Sequence, residues 1–285
     1  MSGVLRASGS PLHRSRIAGS WYPRDPEALT RAVRDLLEQA PAPPALPRLV
    51  ALVSPHAGLL YSGPVAAAGF RLLERFRFDT VILVGPSHFV AFPGAAVWAG
   101  GAFETPLGRM AVDEETARAI LAHGPRLQFL TEPHEPEHSL EMQLPFLQVL
   151  APDMAIVPIL LGEQSRAEVE AVAGAVAAAA AASSRRLLLI ASSDLSHYRP
   201  AEVAARLDRQ VLEQVERFDA ERLMDLLERS HEHACGGGPM VAVLKAARAL
   251  GGAEARVLRY GDSGDVTGDK SSVVGYLSAA VFGKG

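Results

Sequence analysis

Three apolar runs of strand length each end at a short turn that carries a histidine. Residues 49–54 (LVALVS) lead into Pro55-His56-Ala57-Gly58, residues 80–85 (TVILVG) into Pro86-Ser87-His88, and residues 187–192 (LLLIAS) into Ser193-Asp194-Leu195-Ser196-His197. Unbroken aliphatic runs bounded by turn residues are the pattern of strands buried on both faces. Helical patterns separate them. In 24–39, Asp25 can cap, Pro26 suits a first turn, and Leu29, Val33, Leu36 and Leu37 share a face. Residues 64–76, 113–123, 139–150, the alanine-rich 171–182, 201–216, 220–228 and 239–250 read as further helices, and 95–101, 155–161, 256–260 and 273–282 as further strands. Such alternation predicts an α/β three-layer sandwich around a central, mostly parallel sheet. The carboxyl ends of parallel strands gather on one rim, where open α/β sheets bind their ligands. The three histidines are therefore expected on one rim.

The 285 residues suffice for one large core, and no internal repeat or clean boundary divides them. Residues 1–16 read as a flexible tail, 17–285 as a single α/β domain, and 40–47 (APAPPALP) as a proline-rich connector. A net charge of −4 without any basic block argues against nucleic acid or an anionic membrane surface as a partner. The longest apolar stretch, 172–182, is mostly alanine and too short to span a bilayer. The N-terminal residues lack the apolar core of a signal peptide, and the single cysteine rules out an internal disulfide. The expected location is the cytoplasm.

His56 and His88 are the strongest candidate ligands, since neutral imidazole is the commonest ligand for zinc, copper, iron and nickel. Cys235 precedes three glycines, Pro239 and a predicted helix, whose N-terminal dipole would favour the thiolate. The alternative is a buried cysteine acting as a small hydrophobe. Two histidines and a thiolate would leave positions open, as catalytic metal centres do. Asp194 lies close enough in sequence to His197 to fix its tautomer; the alternative is helix capping on a solvated turn. His138 and Glu141 share a helical face at i, i+3, and Glu137 and Glu141 form an i, i+4 pair. For Glu137 a solvated polar face fits at least as well as a role in chemistry. His231 and His233 read as surface or supporting residues, and His13, His123 and His134 carry no signal. Residues 261–272 (GDSGDVTGDKSS) read as a loop able to close over a pocket, without the spacing of an EF-hand or P-loop.

Several segments in order match one family: AGSWYP (18–23), SPHAGLLYSG (54–63), GPSH (85–88), TPLG (105–108), EHSLEMQLPFL (137–147), SSDLSHY (192–198), CGGGP (235–239) and SGDVTGDKSSVVGY (263–276). On these residues the chain resembles the Memo family, protein B of the AmmeMemoRadiSam system, over about residues 17–282. The resemblance implies a fold similar to class III extradiol ring-cleaving dioxygenases. It implies His56, His88 and Cys235 as metal ligands and His197 as an acid/base, with Asp194 beside it and Tyr61, His138 and Glu141 lining or supporting the pocket. Fe(II) is the implied metal, with copper and zinc as alternatives. It further implies a radical-SAM system partner, and a small aromatic or enolic substrate or a peptide in the rim pocket. Where the dioxygenases hold iron with two histidines and a carboxylate, a thiolate stands third here. Two functions follow as expectations: an extradiol-type non-haem iron oxidoreductase, or a metal- or peptide-binding protein without turnover. Zinc-dependent hydrolysis is a weaker third.

Overall fold

In the computed structural model, which describes residues 11–44, 47–230 and 232–284, the three histidine-bearing runs form neighbouring parallel strands. In chain order the elements are β1 (Leu12–Arg14), α1 (Pro26–Gln39), β2 (Arg48–Ser54), α2 (Leu59–Phe70), β3 (Thr80–Pro86), β4 (Ala95–Val97), β5 (Ala102–Thr105), β6 (Gly108–Ala111), α3 (Glu114–Leu121), β7 (Leu127–Phe129), α4 (Leu144–Leu150), β8 (Ala155–Leu161), α5 (Arg166–Ala182), β9 (Leu187–Ser192), β10 (Asp194–Arg199), α6 (Ala201–Glu216), α7 (Ala220–Arg229), α8 (Gly237–Ala249), β11 (Gly252–Asp262), α9 (Gly264–Thr267) and β12 (Val273–Gly283). The large sheet runs β10-β12-β2-β9-β3-β8-β4-β7, with β11 also paired to β12. Its centre, β2-β9-β3-β8, is parallel. Its flanks are mixed: β12 runs antiparallel to β2, β10 and β11, and β4 antiparallel to β8.

Both faces of the sheet are covered. On β3, Ile82 and Val84 join the core under α3, α5, α6, α7 and α8, while Val81 and Leu83 join the core under α1, α2 and α4. Each such side chain contributes roughly 1.5–3 kcal/mol on leaving water, which is why the central strands carry near-continuous aliphatic runs rather than alternating. No helix among the described residues is long and apolar enough to cross a membrane.

Asp25 caps α1 as expected, accepting from Ala28 N, and Asp113 caps α3, accepting from Thr116 N. Four local expectations need correction. The helix expected over 64–76 starts at Leu59 and ends at Phe70, followed by a 3-10 turn (Arg71–Glu74). Pro64 sits inside it and lacks the N–H that would bond the carbonyl of Leu60, an exposed residue. The helix expected over 139–150 is a 3-10 turn (Glu141–Gln143) followed by α4. His197 is not on a turn, for 194–199 form strand β10 against β12. Of the supposed tail, 1–10 lie outside the described residues, but 11–16 are built in, β1 pairing with β5 in a small sheet with β6.

The cysteine–glycine segment shows why small residues were needed there. A Cβ on Gly236 would sit 2.3 Å from the Ser192 carbonyl oxygen, so only glycine lets this turn press against the end of β9.

Buried histidines make the fold sensitive to acid. His13 donates Nε2–H to the His134 carbonyl at 2.8 Å and stacks on Phe103, while His134 Nε2 faces the Ala96 carbonyl at 3.2 Å. Burial pushes His134 down to about 3, and His13 downward as well. An unfolded histidine binds its proton near the ordinary value of 6.5. Below that pH the unfolded chain holds more protons, so stability falls as pH falls from 6.5 toward 3 and is complete above 6.5. Urea unfolding at stepped pH is expected to show His134 alone removing about 2–3 kcal/mol by about pH 4.5. A His134→Gln variant should flatten that slope; an unchanged slope would exclude His134 as its source.

Candidate metal centre

The ends of β2 and β3 bring His56 and His88 together, their ring centroids 5.2 Å apart. His138, from the loop before α4, completes a trio: its ring is 5.5 Å from His56 and stacks on His88 at 4.8 Å. One ligand atom from each of the three lies within 4.8 Å of the others. Cys235, just before α8, places Sγ 3.2 Å from His56 Nε2. The cluster that converges is therefore His56, His88 and His138; of the expected ligand set, Cys235 contacts His56 but is not among the three residues whose ligand atoms all meet.

What stands behind each ring decides which nitrogen faces the centre. His88 donates Nδ1–H to Glu137 Oε1 at 2.9 Å, which leaves its Nε2 lone pair free. His56 Nδ1 lies 2.9 Å from the Ser192 hydroxyl. His138 is enclosed by rings, with Trp21 at 4.4 Å, Phe89 at 5.7 Å and His88 stacked against it. Burial pushes His138 down to about 4 and lowers His56 and His197, so all three imidazoles are neutral near pH 7, the form that binds metal.

Glu137 is the residue that sequence reasoning undervalued. Far from a solvated face, it is 3% exposed and accepts four hydrogen bonds, from His88 Nδ1 and from the backbone N–H groups of His88, His138 and Ser139. Burial pushes this carboxyl up, but the bonds from His88 and the neighbouring amides outweigh it and hold it at about 2. The available signal was its place beside a candidate ligand in EHS. Its i, i+4 relation to Glu141 dissolves because the backbone there is not α-helical.

The other carboxylates take different roles from those expected. Asp194 does not orient His197: it accepts from the backbone N–H of His56 at 2.7 Å and of Ala57 at 3.3 Å, and burial raises it to about 7. It is a brace for the His56 turn. Glu141 does not line the site with His138. It accepts from the Ser15 and Tyr22 hydroxyls and the Arg16 amide, tying the N-terminal segment to the loop that carries Glu137 and His138. Tyr61 stands 40% exposed in the first turn of α2 and is not among the residues lining the cleft at His88 and Cys235.

His197 donates Nδ1–H to the Leu195 carbonyl at 2.8 Å, so its bare Nε2 is free to act as a base. Register shifts in the β10–β12 ladder flank it, and Tyr198 next to it has a φ of 57°, a conformation uncommon for a bulky side chain. His197 lines an open cleft of about 540 Å³ together with His88, Leu195, Tyr198, Arg199 and Cys235.

Cys235 is not the dipole-stabilised thiolate expected from its sequence. Burial, and the Asp194 carboxylate, push the thiol up. The N–H groups at the head of α8 are already engaged, Gly238 N with Gln164 Oε1 and Gly236 N with Ser193 Oγ. Without a cation, the sulfur is a thiol that can donate to His56 Nε2. Gln164, which no sequence signal marked, also donates to the Cys235 carbonyl at 2.7 Å and so holds the segment from both sides. His231 lies outside the described residues, and His233 is buried against the Ser230 carbonyl. In the loop over 261–272, Lys270 pairs with Asp262 and Asp265, so these charges close the loop on itself.

Comparison with known proteins matches residues 13–280 to the sequence model of the Memo-like protein family. A MEMO1 family protein of Methanothermobacter thermautotrophicus is 36% identical over 272 residues, covering 93% of this chain and 98% of its own. One of Methanopyrus kandleri is 37% identical over 281 residues (94% and 98%), and one of Thermotoga neapolitana 38% identical over 273 (92% and 97%). Among solved structures, an uncharacterized protein of Escherichia coli aligns with a TM-score of 0.58 at 14% identity, over 83% of this chain and all of that one. That likeness is one of fold alone.

Proposed function

This chain belongs to the Memo family, and on that footing we propose that it binds one metal ion and acts as a non-haem iron oxidoreductase of extradiol-dioxygenase type on a small aromatic or enolic substrate. The observation that supports this most is a three-histidine cluster whose member His88 lines one open cleft together with Cys235 and the histidine base His197. The donors fit a soft or borderline cation: bare imidazole nitrogens beside a thiol sulfur that can lose its proton. His56, His88 and Cys235 would hold the metal, with His138 the remaining nitrogen in reach. When bound, Fe(II) would supply the one-electron chemistry with dioxygen that no side chain here can; copper and zinc suit the same donors.

The chain's own groups account for the rest. His197, neutral and with its tautomer set by the Leu195 carbonyl, takes the hydroxyl proton of an enolic substrate at Nε2 and can return it. Leu195, Ala234 and Tyr198 give the cleft an apolar wall for a ring. Metal analysis of anaerobically purified protein, followed by oxygen uptake with catechols, tests the reading. A His197→Ala variant is expected to keep its metal and lose turnover by about 100- to 10,000-fold. Undiminished turnover would remove His197 from the chemistry.

A second reading, metal or peptide binding without turnover, draws on the exposed aromatics at this rim: Phe89 at 60% and Tyr198 at 76% exposure suit a larger partner. Metal retention with no oxygen uptake across a catechol panel would favour it.

A further inference from the structure

A proton inventory behind His56 assigns a role to two residues outside the metal-facing set, Ser192 and Gln143, both fully buried. The Ser192 hydroxyl has three neighbours: the Ser139 carbonyl at 2.6 Å, Gln143 Nε2 at 2.8 Å and His56 Nδ1 at 2.9 Å. A carbonyl can only accept, so the single hydroxyl proton goes to Ser139. The Gln143 amide is fixed as well. Its nitrogen faces two further carbonyls, Pro55 at 3.1 Å and Ser139 at 3.5 Å. Turning the amide over would set its oxygen against both. Gln143 therefore donates to Ser192. That leaves one lone pair on the hydroxyl, and it is directed to His56.

We infer that Ser192, held by Gln143, is a positioning residue that keeps the His56 proton on Nδ1 and the lone pair on Nε2, toward Cys235 and the metal position. The inference rests on the metal-centre reading for its purpose but not for its geometry. His88 reaches the same tautomer by another route, through the Glu137 carboxylate. The two ligands are thus oriented by unlike partners, a full negative charge behind one and a neutral relay behind the other. Partners of this kind set both ring orientation and ligand basicity.

The test reads the tautomer directly. Long-range ¹H–¹⁵N spectra of the histidine rings in metal-free protein at neutral pH are expected to show His56 protonated at Nδ1 and bare at Nε2. In Ser192→Ala the His56 pattern should shift toward Nε2–H while His88 stays unchanged. Zinc affinity, measured against a chromophoric chelator, should fall by about 10- to 100-fold. Gln143→Met should fall between the two, since it loosens the hydroxyl without removing it. A wild-type His56 protonated at Nε2 overturns the inference, as does a Ser192→Ala variant that matches wild type in tautomer and affinity. Because the spectra need no metal, failure to bind zinc with the expected tautomer would defeat the metal-centre reading and leave this one standing.

Discussion

Alanine in place of His56 or His88 is expected to abolish stoichiometric metal binding in protein that still folds. Each supplies a bare nitrogen from a rigid strand end, and the two rings are 5.2 Å apart. Both candidate three-ligand sets contain both histidines, so losing either leaves each set with only two donors. The expected drop in affinity exceeds about 100-fold, beyond the roughly 10–100-fold attached to residues that only orient a ligand. Cys235→Ser and His138→Ala then separate the two three-ligand sets open to the site. If Cys235 is a ligand, Co²⁺-substituted wild type shows a sulfur-to-metal charge-transfer band that Cys235→Ser removes, and affinity falls with it. If His138 completes the set instead, the band is absent and His138→Ala carries the loss. Metal content untouched by His56→Ala and His88→Ala together would mean that the ion sits elsewhere, and the proposed function would go with it. Melting temperature of each apo variant guards against reading unfolding as loss of metal.

How much of this was legible beforehand follows from what burial does to a sequence. β2, β3 and β9 were readable because strands covered on both faces carry aliphatics without interruption, and the histidines at their ends follow from the sheet's direction. β5, β6 and β7 were not, since three or four residues carry no period to detect. β10 was hidden because SSDLSHY is polar; its burial comes from β12 and α6, as where Asp208 accepts from Ser196 N, and not from its own composition. The same limit applied to the centre itself. His56, His88 and Cys235 announce their chemistry by residue type. Ser192, Gln143 and Gln164 do so only through where their atoms stand, which no spacing rule delivers. Glu137 and Asp194 show the converse failure. Proximity in sequence suggested that Asp194 serves His197, and helical spacing paired Glu137 with Glu141, but the backbone turns Asp194 onto the His56 amide and Glu137 onto His88.

The reassignment of Glu137 carries the second large expected effect. Four donors converge on this carboxylate: one ring N–H, and three amides that fix the loops carrying His88 and His138. In Glu137→Ala each donor left without a partner in a buried setting costs roughly 1–3 kcal/mol, so a fall in melting temperature and loss of metal should come together. Glu137→Gln is the sharper probe. It keeps the shape and one acceptor oxygen but replaces the other with an NH₂ that must face an N–H donor. It also removes the negative charge behind His88 Nδ1 that raises the basicity of Nε2. Metal affinity is expected to fall by about 10- to 100-fold, with the His88 ring resonances, not those of His56, moving in the metal-free spectrum. Equal shifts at both rings would mean that Glu137 supports the site as a whole through the loop. No shift at His88, with affinity intact, would return Glu137 to a purely structural part and leave His88 oriented by packing against His138 alone.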